Sequence, residues 1–248
     1  MKQLIVTADD FGRSPEINAA ILRAHRAGFV TQASVMVNEP AADEAAEIAC
    51  ANPALRVGLH LTLCAGRAAE VSELTDAHGQ FAPSPTWAGL RYALTPALRE
   101  PLRREIRTQF TRFCELGFAP SYWDGHTHLH LHPTILRLTL PIAVAHGFRA
   151  VRLIREPGPF AVVPWIFQRL SRAAVPHLER HGLQFADRTF GLRASGRMTG
   201  AVIARHVENL PDGLSELYFH PGAEPEEADY AALVRQLAER GITPRSLL

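Results

Sequence analysis

The chain has 248 residues, enough to bury a full core and a length at which β/α barrels commonly form one domain. Its 26 Lys and Arg against 25 Asp and Glu give no net attraction for nucleic acid, and no nucleic-acid partner is expected. No run of about 18 apolar residues is present to cross a membrane. The three cysteines, Cys50, Cys64 and Cys114, form no CxxC pair, which argues against a disulfide framework and for a reducing, cytoplasmic setting.

The N-terminal residues lead straight into a strand with no signal-peptide pattern. Residues 3–8 are a short apolar run, read as a strand buried on both faces. Ser14, Pro15 and Glu16 supply a cap, a first-turn proline and a first-turn acid for a helix that Gly28 closes. Residues 30–37 and 55–63 read as strands around an alanine-rich helix over 41–51. A proline-studded loop follows from 64 to 87, and Thr95 and Pro96 begin a helix running to Gly117. Further along, 122–126 reads as a strand, 133–146 as a helix, 149–154 as a strand, and 165–181 as a helix interrupted at Pro176. A weak strand over 183–186, a helix around 201–210, a strand over 214–219 and a helix near 228–240 complete the chain. This alternation predicts a single α/β domain over 1–248 with about seven parallel strands, closed as a barrel or open and doubly wound.

The most pointed local pattern is Asp-Gly-His-Thr-His-Leu-His-Leu-His-Pro from Asp124 to Pro133. In an extended strand alternate side chains share a face, so the spacing predicts Asp124, His126, His128, His130 and His132 in one row. Imidazoles lined up in this way suit metal ligation better than core packing; the bland alternative is a solvated, histidine-rich turn. Other polar residues gather at strand ends. Asp9 and Asp10 end the first strand, His60 lies near the end of the third, Arg155 and Glu156 follow the fifth, and His220 follows the last. Each has an ordinary reading: a turn for the Asp9–Asp10 pair, a hydrogen-bonded core position for His60, a surface loop for His220. Parallel β/α folds, however, build their active sites at the carboxyl ends of strands. The convergence favours a barrel with a metal site at its C-terminal mouth. Residues 158–167, apolar and proline-rich, are either core or the wall of an apolar substrate groove, and side chains exposed there are expected to border the mouth.

Four motifs carry a resemblance: Thr7-Ala8-Asp9-Asp10-Phe11-Gly12, Gly58-Leu59-His60-Leu61, Asp124-Gly125-His126-Thr127-His128-Leu129-His130 and Phe219-His220-Pro221-Gly222. In order and over essentially the whole chain, they resemble the YdjC-like (ChbG-type) carbohydrate deacetylases; the Arg-Glu-Pro after the fifth strand, the Leu-His-Leu-His-Pro extension and the Leu-Tyr-Phe-His-Pro ending resemble the HpnK-type, hopanoid-biosynthesis-associated branch within them. Many relatives carry serine at Gly125, a difference expected to have no consequence because the position supplies no ligand. The resemblance implies a distorted, TIM-like β/α barrel and metal-dependent removal of an N-acetyl group from an amino sugar. It implies that Asp10, His60 and His126 bind one divalent ion, Zn²⁺ or Mg²⁺, that Asp9 is the base and that His220 is the acid. Asp124, His128 and His130 are expected to orient these groups, and Arg155 and Glu156 to serve as supporting or substrate residues. An N-acetylglucosaminyl hopanoid is the implied substrate, with peripheral contact at the membrane interface; the oligomeric state is left open. The alternatives are a chitooligosaccharide deacetylase, an amidohydrolase or phosphoesterase on a similar barrel, and a non-enzymatic metal- or sugar-binding protein.

Overall fold

The centre of the sheet is its most apolar strand. Lys2–Phe11 (β1) is buried from Leu4 onward. It pairs in parallel with Gln32–Val35 (β2) on one side and Gly213–Phe219 (β7) on the other. Arg56–Leu61 (β3), Tyr122–Gly125 (β4), Ala150–Val151 (β5) and Arg188–Phe190 (β6) complete the sheet. A computed structural model describes residues 1–223 and 229–247. Among these residues all seven strands are parallel, in the order β5-β4-β3-β2-β1-β7-β6.

The sheet curls. β5 and β1 stand four strand spacings apart, about 19 Å if the sheet were flat, yet Arg152, next after β5, reaches Asp9 on β1 at 2.8 Å. No ladder joins β5 to β6 among the described residues; Gln184 bridges Ala150, and the Thr189 hydroxyl donates to the Leu153 carbonyl. The expected seven-stranded, barrel-like α/β fold therefore stands, as a curled, incompletely closed barrel.

Helices cover the outer face: Pro15–Arg26 (α1), Ala42–Ala51 (α2), Pro85–Leu94 (α3), Arg99–Glu115 (α4), Pro133–Ala145 (α5), Val162–Arg180 (α6), Gly200–Glu208 (α7) and Tyr230–Glu239 (α8). Local signals explain their starts. The Ser14 hydroxyl accepts from the Ile17 amide ahead of Pro15, and the Ser84 hydroxyl accepts from the Trp87 amide ahead of Pro85. The second of these signals starts a helix at the end of the 64–87 loop and carries it through 88–94, where the sequence pattern predicts no element. α6 starts earlier than expected and runs through Pro176 without a break, since burying Ser171, Ala174 and Leu178 offsets the one missing donor. The weak strand expected at 183–186 is displaced to β6, where pairing with β7 begins at Arg188. The strand expected over 149–154 shrinks to β5, and Ala228, the expected start of the last helix, lies outside the described residues.

The 158–167 segment is not core. Phe160 is 79 % exposed and Trp165 49 %, with Val162, Val163 and Ile166 also open to solvent, while Phe167 packs edge-on against the His128 ring at 5.4 Å.

Candidate active site

The pocket begins with a backbone irregularity. The β1–β2 register shifts between Ala8 and Phe11, and Asp10 adopts a left-handed conformation at φ 66°. Regular strand geometry would send neighbouring side chains to opposite faces. The bulge instead brings both carboxylates to one imidazole: Asp9, His60 and Asp124 form one close group, and Asp10, His60 and His126 another.

The histidine run departs from the expected row. β4 ends at Gly125, and residues 126–131 fold into a tight turn in which Thr127 and His128 are left-handed (φ 56° and 61°). Alternation is a property of strands, so it lapses where the strand stops, and the histidines fan out to different partners. His126 Nδ1 lies 3.2 Å from Asp10 Oδ1. His128 Nε2 meets the Tyr218 hydroxyl at 2.8 Å, and His130 Nε2 donates to the Arg152 carbonyl at 2.9 Å. His132 precedes α5. Burial pushes His128 well below the ordinary histidine range and His130 down to about 4, so both are neutral near pH 7. Gly125 is less indifferent than expected: a Cβ there would lie 3.0 Å from His130 Cβ and Nδ1, and a side chain requires the imidazole to give way.

His60 is fully buried, and its Nδ1 sits 2.7 Å from Asp124 Oδ1. A carboxylate only accepts, so Nδ1 carries the proton and Nε2 presents a lone pair. That lone pair faces Asp10 Oδ1 at 3.5 Å, and neither atom has a hydrogen-bond partner among the described residues. Two buried, unpartnered acceptors facing each other are costly unless a cation lies between them. Separations of 3.2 and 3.5 Å suit two ligands of one ion, since bonds of about 2.1 Å at roughly tetrahedral angles place donors about 3.4 Å apart. The donor set, two imidazoles and a carboxylate, fits Zn²⁺ and tolerates other divalent ions. Burial alone would depress His60; Asp124, Asp9 and Asp10 outweigh it and hold its pKa up at about 9, so with no ion bound Nε2 takes a proton near pH 7, and the lone pair belongs to the neutral ring that a metal would hold in the proton's place.

Behind these ligands lies a buried charge network that sequence reading missed. The Arg152 guanidinium grips Asp9 with two bonds of 2.8 and 2.9 Å, contacts Asp124 Oδ2 at 2.8 Å and donates to Glu216 Oε1 at 2.9 Å, lying 4.5 Å from the centre of the Tyr218 ring. Glu216 also accepts from Thr7, and Asp124 from Ser34. Burial pushes the Glu216 carboxyl up, and Arg152 and Thr7 pull it back. The signal was present: an arginine within Ala-Val-Arg-Leu-Ile and a glutamate within Leu-Ser-Glu-Leu-Tyr-Phe are charges inside apolar strands, tolerable only when paired.

His220, just past β7, has its ring 6.2 Å from that of Tyr218 and is near enough to Asp10 to help hold that carboxyl below the ordinary range against its burial. Arg155 and Glu156 turn elsewhere. Arg155 lies 5.4 Å from the centre of the Phe185 ring, and the buried Glu156 carboxylate accepts from the amides of Gly191, Leu192 and Arg193.

The model of the YdjC-like protein family matches residues 3–243. The chain belongs to the YdjC-like family. This YdjC-like chain is similar to a carbohydrate deacetylase of Mus musculus, 35 % identical over 89 % of the chain and 78 % of the relative. It is 40 % identical to a carbohydrate deacetylase of Brevibacillus brevis over 88 % of the chain and 81 % of the relative. A chitooligosaccharide deacetylase of Serratia marcescens is 34 % identical over 62 % of the chain and 60 % of its own length. Among solved structures, an Enterococcus faecalis protein named for cellobiose-phosphate cleavage superposes with a TM-score of 0.73 at 20 % identity, over 99 % of this chain and 97 % of that one. The polysaccharide deacetylase Bc1974 of Bacillus cereus gives 0.50 at 12 % identity, over 99 % and 92 %. At those identities the structural matches describe the fold.

Purified protein loaded with Zn²⁺ is expected to hold one ion per chain. His60→Ala and His126→Ala should each lower the metal content at least tenfold while the far-ultraviolet dichroism stays native. Full metal occupancy in both variants would reassign the ligands.

Proposed function

We propose that the chain is a metal-dependent carbohydrate N-deacetylase, hydrolysing an acetamide on an amino sugar to the free amine and acetate. The observation that carries this reading is the pair of unpartnered buried atoms, Asp10 Oδ1 and His60 Nε2, beside His126 and next to an aspartate pinned by Arg152. The deacetylase names of relatives that align over most of the chain support it. In such a site a divalent ion supplies carbonyl polarisation and acidification of water. The chain's own residues supply the rest. Asp124 fixes the tautomer and ring orientation of His60. Asp9, held in place by the Arg152 fork, takes a proton from the attacking water; each of its oxygens keeps a lone pair beyond the one facing the guanidinium. His220 delivers a proton to the departing nitrogen, which an amine needs before it can leave.

His220→Ala is accordingly expected to lower turnover of an N-acetyl sugar by about 10²–10⁴ and to spare 4-nitrophenyl acetate, whose leaving group needs no proton. Equal damage to both substrates would make His220 a substrate-positioning residue.

The finer reading is an N-acetylglucosaminyl hopanoid. Exposed apolar side chains on two helices beside the 126–131 turn support it: Phe160, Val162 and Trp165 around the start of α6, and Trp87, Leu90 and Leu94 on α3. Such a rim suits a polycyclic tail or a lipid interface. A chitooligosaccharide is the second reading, favoured by the Serratia marcescens relative. Incubating metal-loaded protein with each substrate and measuring acetate by mass spectrometry separates them: at least tenfold higher kcat/KM on the hopanoid supports the lipid reading, and the reverse replaces it.

A further inference from the structure

The chain builds a second concave site, lined by none of Asp9, Asp10, His60, His126 and His220. A cleft of about 810 Å³ opens between β6, α7 and the segment that follows β5. Four arginines line it, Arg188, Arg193, Arg197 and Arg205, with His206 beside them and Phe190 and Val202 as apolar wall. α7 contributes Val202, Arg205 and His206, with its capping residue Asn209 completing the i, i+3, i+4, i+7 set that makes one face of a helix.

The charge in this cleft is only partly compensated. Among the described residues none of the four arginines forms an ion pair. Glu156 is the one acidic residue of the lining against four arginines; its buried carboxylate accepts from the backbone amides of Gly191, Leu192 and Arg193 and also interacts with the Arg193 charge. Arg193 is moreover built into its position. Gly158, at φ 145°, leaves the room the guanidinium occupies, since a Cβ there would lie 2.8 Å from Arg193 Nε. Arg193 Nη2 donates to the Pro159 carbonyl at 2.8 Å, and Nε is buried without a partner. A buried donor held in place, ringed by like charges and backed by an aromatic wall, is a costly arrangement for an empty surface.

We propose that this cleft binds a phosphoryl-bearing anion. Guanidinium forks match phosphate oxygens two at a time, and several of them together favour a group with more than one negative charge. The Phe190–Val202 wall provides contact for the organic part of such a ligand. A soluble phosphate ester and a phospholipid headgroup carry the same group, and the cleft lies beside the exposed apolar start of α6, within reach of either.

The test is calorimetric titration of the full chain with pyrophosphate, and flotation with phosphatidylglycerol or phosphatidylcholine vesicles. It compares wild type with Arg197→Gln/Arg205→Gln and with a control, Arg103→Gln/Arg107→Gln, that removes two arginines from α4. Sub-millimolar pyrophosphate binding, weakened at least tenfold in the cleft variant and less than twofold in the control, supports the site with a soluble ligand. Flotation that requires phosphatidylglycerol and is lost only in the cleft variant supports it with a lipid source. Binding of neither probe by wild type, or equal losses in both variants, overturns the proposal. Should the double variant lose its native dichroism, Arg205→Gln alone is expected to weaken binding at least threefold, and an unchanged affinity there is equally fatal.

Discussion

Asp9→Asn is expected to lower kcat for acetamide hydrolysis by about 10²–10⁴, the usual worth of one general acid–base group, while metal content stays at the wild-type level. The two effects separate because Asp10, not Asp9, faces His126. The substitution also disturbs the Arg152 fork. Asparagine keeps one oxygen for the guanidinium but turns an N–H₂ toward the second N–H, leaving donor against donor where 2.8 and 2.9 Å bonds now stand. That mismatch costs about 1–3 kcal/mol, so the rates belong at temperatures well below the variant's Tm. A folded Asp9→Asn protein retaining more than a tenth of the wild-type kcat would mean that another group is the base.

Arg152→Met should produce the largest loss of stability. The guanidinium is the cation shared by Asp9, Asp124 and Glu216, and all four groups are buried. Methionine is similar in length and packs well, but it leaves three carboxyl groups facing one another without a counter-charge. Removing one partner from a buried ion network typically costs about 3–5 kcal/mol, which for a chain of this size corresponds to a Tm roughly 6–20 °C lower. Arg152→Lys restores the charge but not the fork, and is expected to recover part of the Tm while kcat remains low, because a single ammonium cannot hold both oxygens of Asp9. A Tm for Arg152→Met within 2 °C of wild type would show that the network is neutralised by bound protons and contributes little.

Much of this architecture can be read directly from residue patterns, and the misreadings have specific causes. Apolar runs located the strands, and the Ser14-Pro15 pair located the first helix start. The Ser84-Pro85 pair carried the same signal as Ser14-Pro15 but lay in a proline-rich stretch that also suited a loop. The placement of Asp9, Asp10, His60 and His220 at strand ends followed from the strands alone. The row of alternating histidines did not survive, because two successive left-handed residues at Thr127 and His128 have no glycine or Asn-Gly to announce them. Arg152 is hidden for a different reason: Arg155 and Glu156 carry the loop signal where function is usually sought, and Arg152 does not. The charged residue inside the neighbouring strand was the more informative one, since only a partner across the barrel makes it tolerable.

The pairing of β1 with β7 has a consequence for the order in which this protein comes into being. Thr7 meets Glu216 across 209 positions of chain, and Asp9 meets Arg152 across 143. As the polypeptide is made from its N-terminus, Asp10 has Arg13 within three residues, at 2.7 Å, whereas Asp9 must wait for Arg152. Loops of that length close slowly, and the contacts that reward closure come only afterwards. The Asp9–Arg152 fork therefore cannot form until most of the barrel has been made, and a truncation before β7 strips β1 of its pairing partner and Arg152 of Glu216.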